Sequence, residues 1–210
     1  MGSSNSGESI FSVDVEDYFH ASALAAGVRS AGPENLEHRV CNNTQKILQI
    51  LSDSEVQGTF FVLGWVAERY ASLVKEIQNE GHEIACHGHS HSVIYEQTPE
   101  VFRNETVKAK NLLEDITGAP VIGYRAASFS ITRDSLWGLE ILDEAGFLYD
   151  SSIFPIHHDR YGIPDANLEP HVRDLANGRS LVEVPMTVAK VGGLSVPVSG
   201  GGYFRLYPYW

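Results

Sequence analysis

Residues 83–91 read EIACHGHSH, a short and mostly apolar run that leads directly into three alternating histidines. The segment Glu83–Cys86 has the length of a β-strand, and residues 66–79 before it place apolar side chains on one face of a predicted helix that Gly81 ends. A helix followed by a strand is the repeating unit of α/β folds. So many histidines directly after a strand indicate either an exposed polar loop or a metal site.

The same alternation continues on both sides of this stretch. Strands are predicted at residues 10–15, 58–63, 83–86, 121–124 and 147–149, and helices at 44–52, 66–79, 101–116 and 132–145. Residues 154–180 are rich in Pro, Gly, His and Asp and are expected to form a long loop, with strands at 181–184 and 194–198 after it. We therefore predict an α/β fold with parallel strands, in one domain over residues 10–210 that follows a disordered leader, residues 1–9.

Composition excludes several classes of partner. The 210 residues carry a formal net charge of −12 with the acidic residues spread along the chain, which argues against binding to nucleic acid or to anionic lipid. No run of about 18 apolar residues is present, so we expect no membrane span. The N-terminus does not resemble a signal peptide, so a cytoplasmic location is expected. Cys41 and Cys86 are in no CxxC arrangement and are expected to be reduced.

Polar residues follow four of the predicted strands. The acidic cluster Asp14, Glu16 and Asp17 ends the first strand, the histidines follow the third, and Arg125 follows the fourth. The segment 150–152, Asp-Ser-Ser, follows the fifth. Because ligands of parallel α/β sheets collect at the carboxyl ends of the strands, we expect these groups to meet at one edge of the sheet.

The spacing of the histidines favours a metal site. His87 and His91 are four residues apart, so on one helical turn their rings would face the same way, and His89 would point the other way. Neutral imidazoles bind zinc and similar divalent ions well, and a hydrolytic site usually adds a third protein ligand. That third ligand should be a carboxylate from the first strand, either Glu16 or Asp17.

Several motifs together resemble the polysaccharide deacetylases with the NodB-homology domain. They are SVDVEDYFH (12–20), CHGHSH (86–91), GYRAASFS (123–130), YDSSIFP (149–155) with HDRYGIP (158–164), and GGGYFR (200–205). The likeness is strongest to the exopolysaccharide-locus branch. It implies a distorted (β/α) barrel. The last motif of that family, a leucine–histidine pair, has no match in the 210 residues, so we expect the C-terminal segment of the domain to be lacking.

The resemblance also implies a role for each matching residue. Asp14 corresponds to the general base, His87 and His91 to the metal-binding histidines, and Arg125 to the arginine that orients the base. Either Glu16 or Asp17 would be the metal carboxylate, and Asp150 would shape the substrate groove. Apart from the resemblance, Ser152 is expected to contact substrate or to form a turn, and the aromatic residues Tyr124, Phe129 and Tyr203 either stack on sugars or pack in the core.

The expected function is metal-dependent hydrolysis of N-acetyl groups on the amino sugars of a polysaccharide or oligosaccharide. Zinc is the expected ion, with cobalt or nickel as alternatives. One competing hypothesis is a carbohydrate-binding domain that keeps the metal site without turnover. Another is a cyclic-amide hydrolase of the same fold that works without metal. The sequence does not indicate which polysaccharide is bound or which oligomeric state the chain adopts.

Overall fold

The computed structural model describes residues 9–21, 24, 27–28, 31–204 and 206. The strands are β1 (Ser12–Val15), β2 (Thr59–Val62), β3 (Glu83–Cys86), β4 (Gly123–Tyr124), β5 (Tyr149–Asp150), β6 (His171–Asp174), β7 (Ser180–Glu183), β8 (Val188–Val191) and β9 (Leu194–Pro197). The helices are α1 (Val40–Asp53), α2 (Gly64–Arg69), α3 (Ala71–Asn79), α4 (Pro99–Thr117), α5 (Trp137–Glu144) and α6 (Gly201–Phe204).

Seven strands form one sheet in the order β1-β2-β3-β4-β5-β7-β6, and β8 and β9 form a separate hairpin. The pairs from β1 to β5 and the pair β5–β7 are parallel, whereas β6 runs antiparallel to β7. This mostly parallel sheet with connecting helices confirms the predicted α/β fold. Within the residues that the structure describes, β1 and β6 are the two edge strands of the sheet and do not pair with each other, so the barrel is incomplete.

The main core lies between the sheet and the helices, and its members are apolar residues from both. It includes Phe60, Val62, Val74, Ile77, Ile84, Leu113, Leu139 and Leu142. The segments that follow β5 and β7 form a smaller cluster of Phe154, Ile156 and Met186. Cys41 and Cys86 are both free, as predicted, and Cys86 is buried in the main core. Across the described part of the chain, no helix is both long and apolar enough to cross a bilayer.

Three predicted elements differ from the structure. The helix expected over residues 66–79 is two helices, because Tyr70 leaves the helical region with φ −131° and ψ 48° and its carbonyl begins α3. The expected loop over 154–180 contains strand β6, an edge strand whose Val172 is 67% exposed and which therefore lacks the apolar alternation of a half-buried strand. The helix predicted over 132–145 begins with a 3₁₀ turn, and only Trp137–Glu144 is α-helical.

Candidate active site

Polar residues in or after three strands meet at the carboxyl ends of the parallel strands. Asp14 lies in β1 and Glu16 follows it, His87 follows β3, and Arg125 follows β4. The parallel register aligns the ends of these strands, since Val15 is opposite Val62 in β2 and Val62 is opposite Cys86 in β3. The predicted convergence at the carboxyl ends of the strands is confirmed for these residues.

Two of them, Glu16 and His87, could hold a metal ion together with His91 from the loop after β3. Glu16, His87 and His91 each offer one ligand atom, and these atoms all lie within 4.8 Å of one another. Oε2 of Glu16 is 2.8 Å from Nε2 of His91. The same oxygen is buried, and no donor among the described residues meets it with hydrogen-bond geometry. A buried carboxylate oxygen that faces an imidazole nitrogen without a hydrogen bond is the arrangement expected of two ligands of one cation. Glu16, His87 and His91 therefore fit a divalent metal ion.

The protonation of His87 suits metal binding. Its Nδ1 lies 2.8 Å from the carbonyl oxygen of Arg125, and because a carbonyl only accepts, Nδ1 carries the proton. The lone pair of Nε2 is then free for a metal. Burial lowers the pKa of His87 and outweighs the opposing effect of Asp14, so the ring is neutral. A neutral ring with an oriented Nε2 is what a divalent cation requires.

His91 reaches the site from a loop and not from a helical turn, so the predicted helical geometry of the histidines is wrong. No residue from 87 to 93 is helical. The loop turns because Gly88 and His91 have positive φ angles of 73° and 60°, which lie in the left-handed region. His89 points away from the ligand group, as predicted, and its Nε2 lies 3.0 Å from Oε1 of Glu68.

The structure separates the two candidate carboxylates. Glu16 lies with the histidines, whereas the carboxylate of Asp17 accepts backbone hydrogen bonds from Tyr18, Arg39 and Val40 at 2.9, 2.7 and 3.0 Å. The last two amides belong to the start of α1, where backbone N–H groups have no partner inside the helix. The prediction that Asp17 could be the metal ligand is wrong, because both of its oxygens are already engaged in fixing this helix.

Asp14 and Arg125 form an ion pair beside the ligand group. Nη1 of Arg125 donates to Oδ1 of Asp14 at 2.8 Å. The other guanidinium nitrogens donate to the carbonyl and hydroxyl oxygens of Ser151 at 3.0 and 2.9 Å, and the group lies over the ring of Phe61. Burial alone would raise the pKa of Asp14, but the charge of Arg125 and its hydrogen bond to the carboxylate outweigh burial and lower the pKa. Asp14 is therefore ionised and held in one orientation.

Three residues predicted to contact substrate are buried instead. Tyr124 is 2% exposed and packs edge-to-face against Phe102 and Phe147 in the core. Asp150 and Ser152 are fully buried; the hydroxyl of Ser152 donates to Asp150 at 2.6 Å and accepts from the amide of Ala126 at 2.8 Å. Of the two alternatives given for Tyr124 and for Ser152, the structure shows core packing and a turn, because the neighbouring strands and helices cover the side chains. Asp150 is covered in the same way, and its effect on a substrate groove stays a prediction. Asp150 and Ser152 instead fix the turn after β5 that holds Arg125.

Tyr203 and Phe129 are partly buried and belong to an aromatic group around Phe154. The hydroxyl of Tyr203 is 2.9 Å from that of Tyr161, and both rings contact Phe154. Phe129 packs against Phe154 and lies 6.0 Å from the guanidinium carbon of Arg125. This places the aromatic group on the Arg125 side of the site, and sugar binding by Tyr203 stays a prediction.

Two further titratable residues near these groups escaped the sequence analysis. Glu183 is buried opposite Asp150 in the register of β5 and β7, and burial followed by the charge of Asp150 raises its pKa well above the usual value. The ring of His20 lies 6.1 Å from that of His91, and its Nδ1 accepts from the amide of Asp17. Burial lowers the pKa of His20 to about 4. Only the position of His20 at the end of SVDVEDYFH could have indicated it.

Two family models match the chain in succession. The model described as "polysaccharide deacetylase" matches residues 32–148, which is more than half of the chain. A second, described as "domain of unknown function (DUF3473)", matches residues 151–210. The first match contains His87, His91 and Arg125 but not Asp14 or Glu16, which the folded chain brings to the same site.

Curated relatives agree with the first model. A peptidoglycan-N-acetylglucosamine deacetylase of Bacillus cereus is 39% identical over 75 residues, which are 36% of this chain and 27% of the relative. A peptidoglycan deacetylase of Helicobacter pylori is 28% identical over 114 residues, 54% of this chain and 37% of the relative. The chain thus spans about a quarter to just over a third of the length of these two relatives.

A solved structure extends the likeness to nearly the whole chain. A protein of Mycobacterium smegmatis assigned to the polysaccharide deacetylases matches with a TM-score of 0.67 and 26% identity, over 92% of this chain and 64% of that one. The allantoinase PuuE matches with a TM-score of 0.56 and 19% identity, over 69% of this chain and 43% of that one, which shows a shared fold alone. On the match to its family model, the chain belongs to the polysaccharide deacetylase family.

Proposed function

We propose that this chain is a metal-dependent hydrolase that removes N-acetyl groups from the amino-sugar units of a polysaccharide. The observation that carries the proposal is the group of Glu16, His87 and His91 directly beside the Asp14–Arg125 ion pair. The names of two relatives, a peptidoglycan-N-acetylglucosamine deacetylase and a peptidoglycan deacetylase, support an acetylated amino-sugar polymer as the substrate class.

Zinc fits this donor set best. Two imidazole nitrogens and one carboxylate oxygen are typical of hydrolytic zinc sites with three protein ligands, and cobalt or nickel are alternatives. A cation held by Glu16, His87 and His91 would polarise the carbonyl group under attack and lower the pKa of water.

The chain's own residues account for the proton transfers. Asp14 is ionised and accepts a proton from the attacking water as a new bond forms between the water oxygen and the acetamide carbon. Arg125 keeps Asp14 ionised and fixes its direction through three hydrogen bonds, one to Asp14 and two to Ser151. As the carbon–nitrogen bond breaks, Asp14 passes this proton on to the leaving nitrogen, and acetate is released.

Acetate release from N-acetylglucosamine oligomers, measured with and without added zinc, tests the proposal. The expected result is zinc-dependent release that Asp14→Asn strongly reduces while zinc stays bound. Oligomer binding and stoichiometric zinc without release would instead support a carbohydrate-binding domain. Hydrolysis of a cyclic amide by metal-free protein would support the third hypothesis and contradict the proposed role of the histidines.

A further inference from the structure

His89 and Ser90 lie between the metal-binding histidines His87 and His91. Both form hydrogen bonds to neighbouring helices. Nε2 of His89 lies 3.0 Å from Oε1 of Glu68, and since a carboxylate only accepts, the histidine donates. The hydroxyl of Ser90 donates to Oε2 of Glu105 at 2.6 Å. Glu68 belongs to α2 and Glu105 to α4, so the loop between the metal-binding histidines is tied to two helices.

The start of α2 is also seated directly on this loop. The amides of Gly64 and Trp65 donate to the carbonyls of Gly88 and His89 at 2.8 and 2.9 Å. A Cβ atom at Gly64 would lie 2.7 Å from Cδ2 and 3.1 Å from Cα of His89. The helix and the loop are therefore so close that only glycine fits at position 64.

The loop needs such support because of its own conformation. His91 has a φ angle of 60°, in the left-handed region that residues other than glycine adopt uncommonly, although histidine adopts it more often than most. A free loop would relax toward more common backbone angles, and the ring of His91 would then leave Glu16 and His87. Contacts outside the ligand group must hold the loop in place.

We propose that Gly64, Glu68 and His89 form a loop clamp that positions His87 and His91 for metal binding. The proposal rests on the metal site of the proposed function. Lys108 lies 2.8 Å from the same oxygen of Glu68 that His89 contacts, which keeps the carboxylate ionised and in place. The members of the loop clamp are positioning residues, because they act on the metal only through the two ligand histidines.

Zinc affinity of the full chain, measured by competition with a chromogenic chelator, tests the loop clamp. His89→Phe keeps a ring over Gly64 but loses the donor, whereas His89→Gln keeps an N–H at the same reach. We expect His89→Phe and Glu68→Ala to bind zinc about 10–100-fold more weakly, as is typical when the partners of metal ligands are lost. His89→Gln should bind close to wild type, and Glu100→Ala, at the exposed start of α4, should be unchanged.

Each outcome has a definite meaning. Equal zinc affinity of His89→Phe and wild type would overturn the loop clamp and leave the metal site intact. An equally large loss in His89→Gln and His89→Phe would also overturn it, because the donor would then not be what matters. A wild-type chain that binds no zinc, or that binds zinc as well after His87→Ala, would overturn the metal site and the loop clamp together. Melting curves of every variant confirm that affinity is compared between folded chains.

Discussion

Substituting the adjacent residues Glu16 and Asp17 one at a time should show which carboxylate binds the metal and which one stabilises the fold. The carboxylate of Asp17 accepts three backbone hydrogen bonds, two of them from the start of α1. Hydrogen bonds to a charged group contribute about 1.5–3 kcal/mol each, but such terms are not additive, so we expect Asp17→Ala to lower the free energy of unfolding by about 3 kcal/mol. For a chain of this length that corresponds to a loss of about 6–12 °C in Tm.

Thermal unfolding of the metal-free variants gives the first half of the test, and zinc titration at a temperature where both are folded gives the second. Asp17→Ala should melt early and still bind one zinc ion per chain. Glu16→Gln should melt within a few degrees of wild type and bind zinc far more weakly, since it loses a ligand. The reasoning is refuted if Asp17→Ala loses zinc and keeps its melting temperature, because Asp17 would then be the ligand.

Three further outcomes follow from the site. Asp14→Asn should reduce acetate release by about 10²–10⁴-fold without a loss of zinc affinity, because a general base contributes about that much; unchanged release would exclude Asp14 as the base. Arg125→Gln should move the acid limb of the pH–rate profile to higher pH, because the cation that lowers the pKa of Asp14 is gone; a shift to lower pH would contradict the ion pair. Burial and the charge of Asp150 raise the pKa of Glu183 above its usual 4.5, so ionisation of Glu183 opposes folding as the pH rises. In urea unfolding, the stability of Glu183→Gln relative to wild type should therefore increase as the pH is raised above the usual pKa of a glutamate, and a constant difference would show that the pKa of Glu183 is not raised.

The sequence predicted those parts of the fold that have a clear apolar period. Strands β2 and β3 and helix α4 lie close to their predicted bounds, because buried runs and a proline after Thr98 mark them. Strand β6 was missed because an edge strand has little to bury. The break at Tyr70 was missed because both helices present apolar residues in one continuous pattern, and only the backbone angles at that residue separate them.

The site was predicted less completely than the fold. The meeting of Glu16, His87 and His91 was expected from strand ends, but the choice between Glu16 and Asp17 depended on amides of Arg39 and Val40, more than 20 positions away. Such long-range hydrogen bonds leave no local pattern. The burial of Asp150 and Ser152 was equally hidden, because a polar residue after a strand is read as exposed unless its partners are known.

A crystal structure of the zinc-loaded chain, with the ion located by anomalous scattering at the zinc edge, tests the central claim most directly. The account predicts one peak at about 2.0–2.2 Å from a carboxylate oxygen of Glu16 and from Nε2 of both His87 and His91. A peak held by Asp17, or no peak near the two histidines in zinc-loaded crystals, would contradict it.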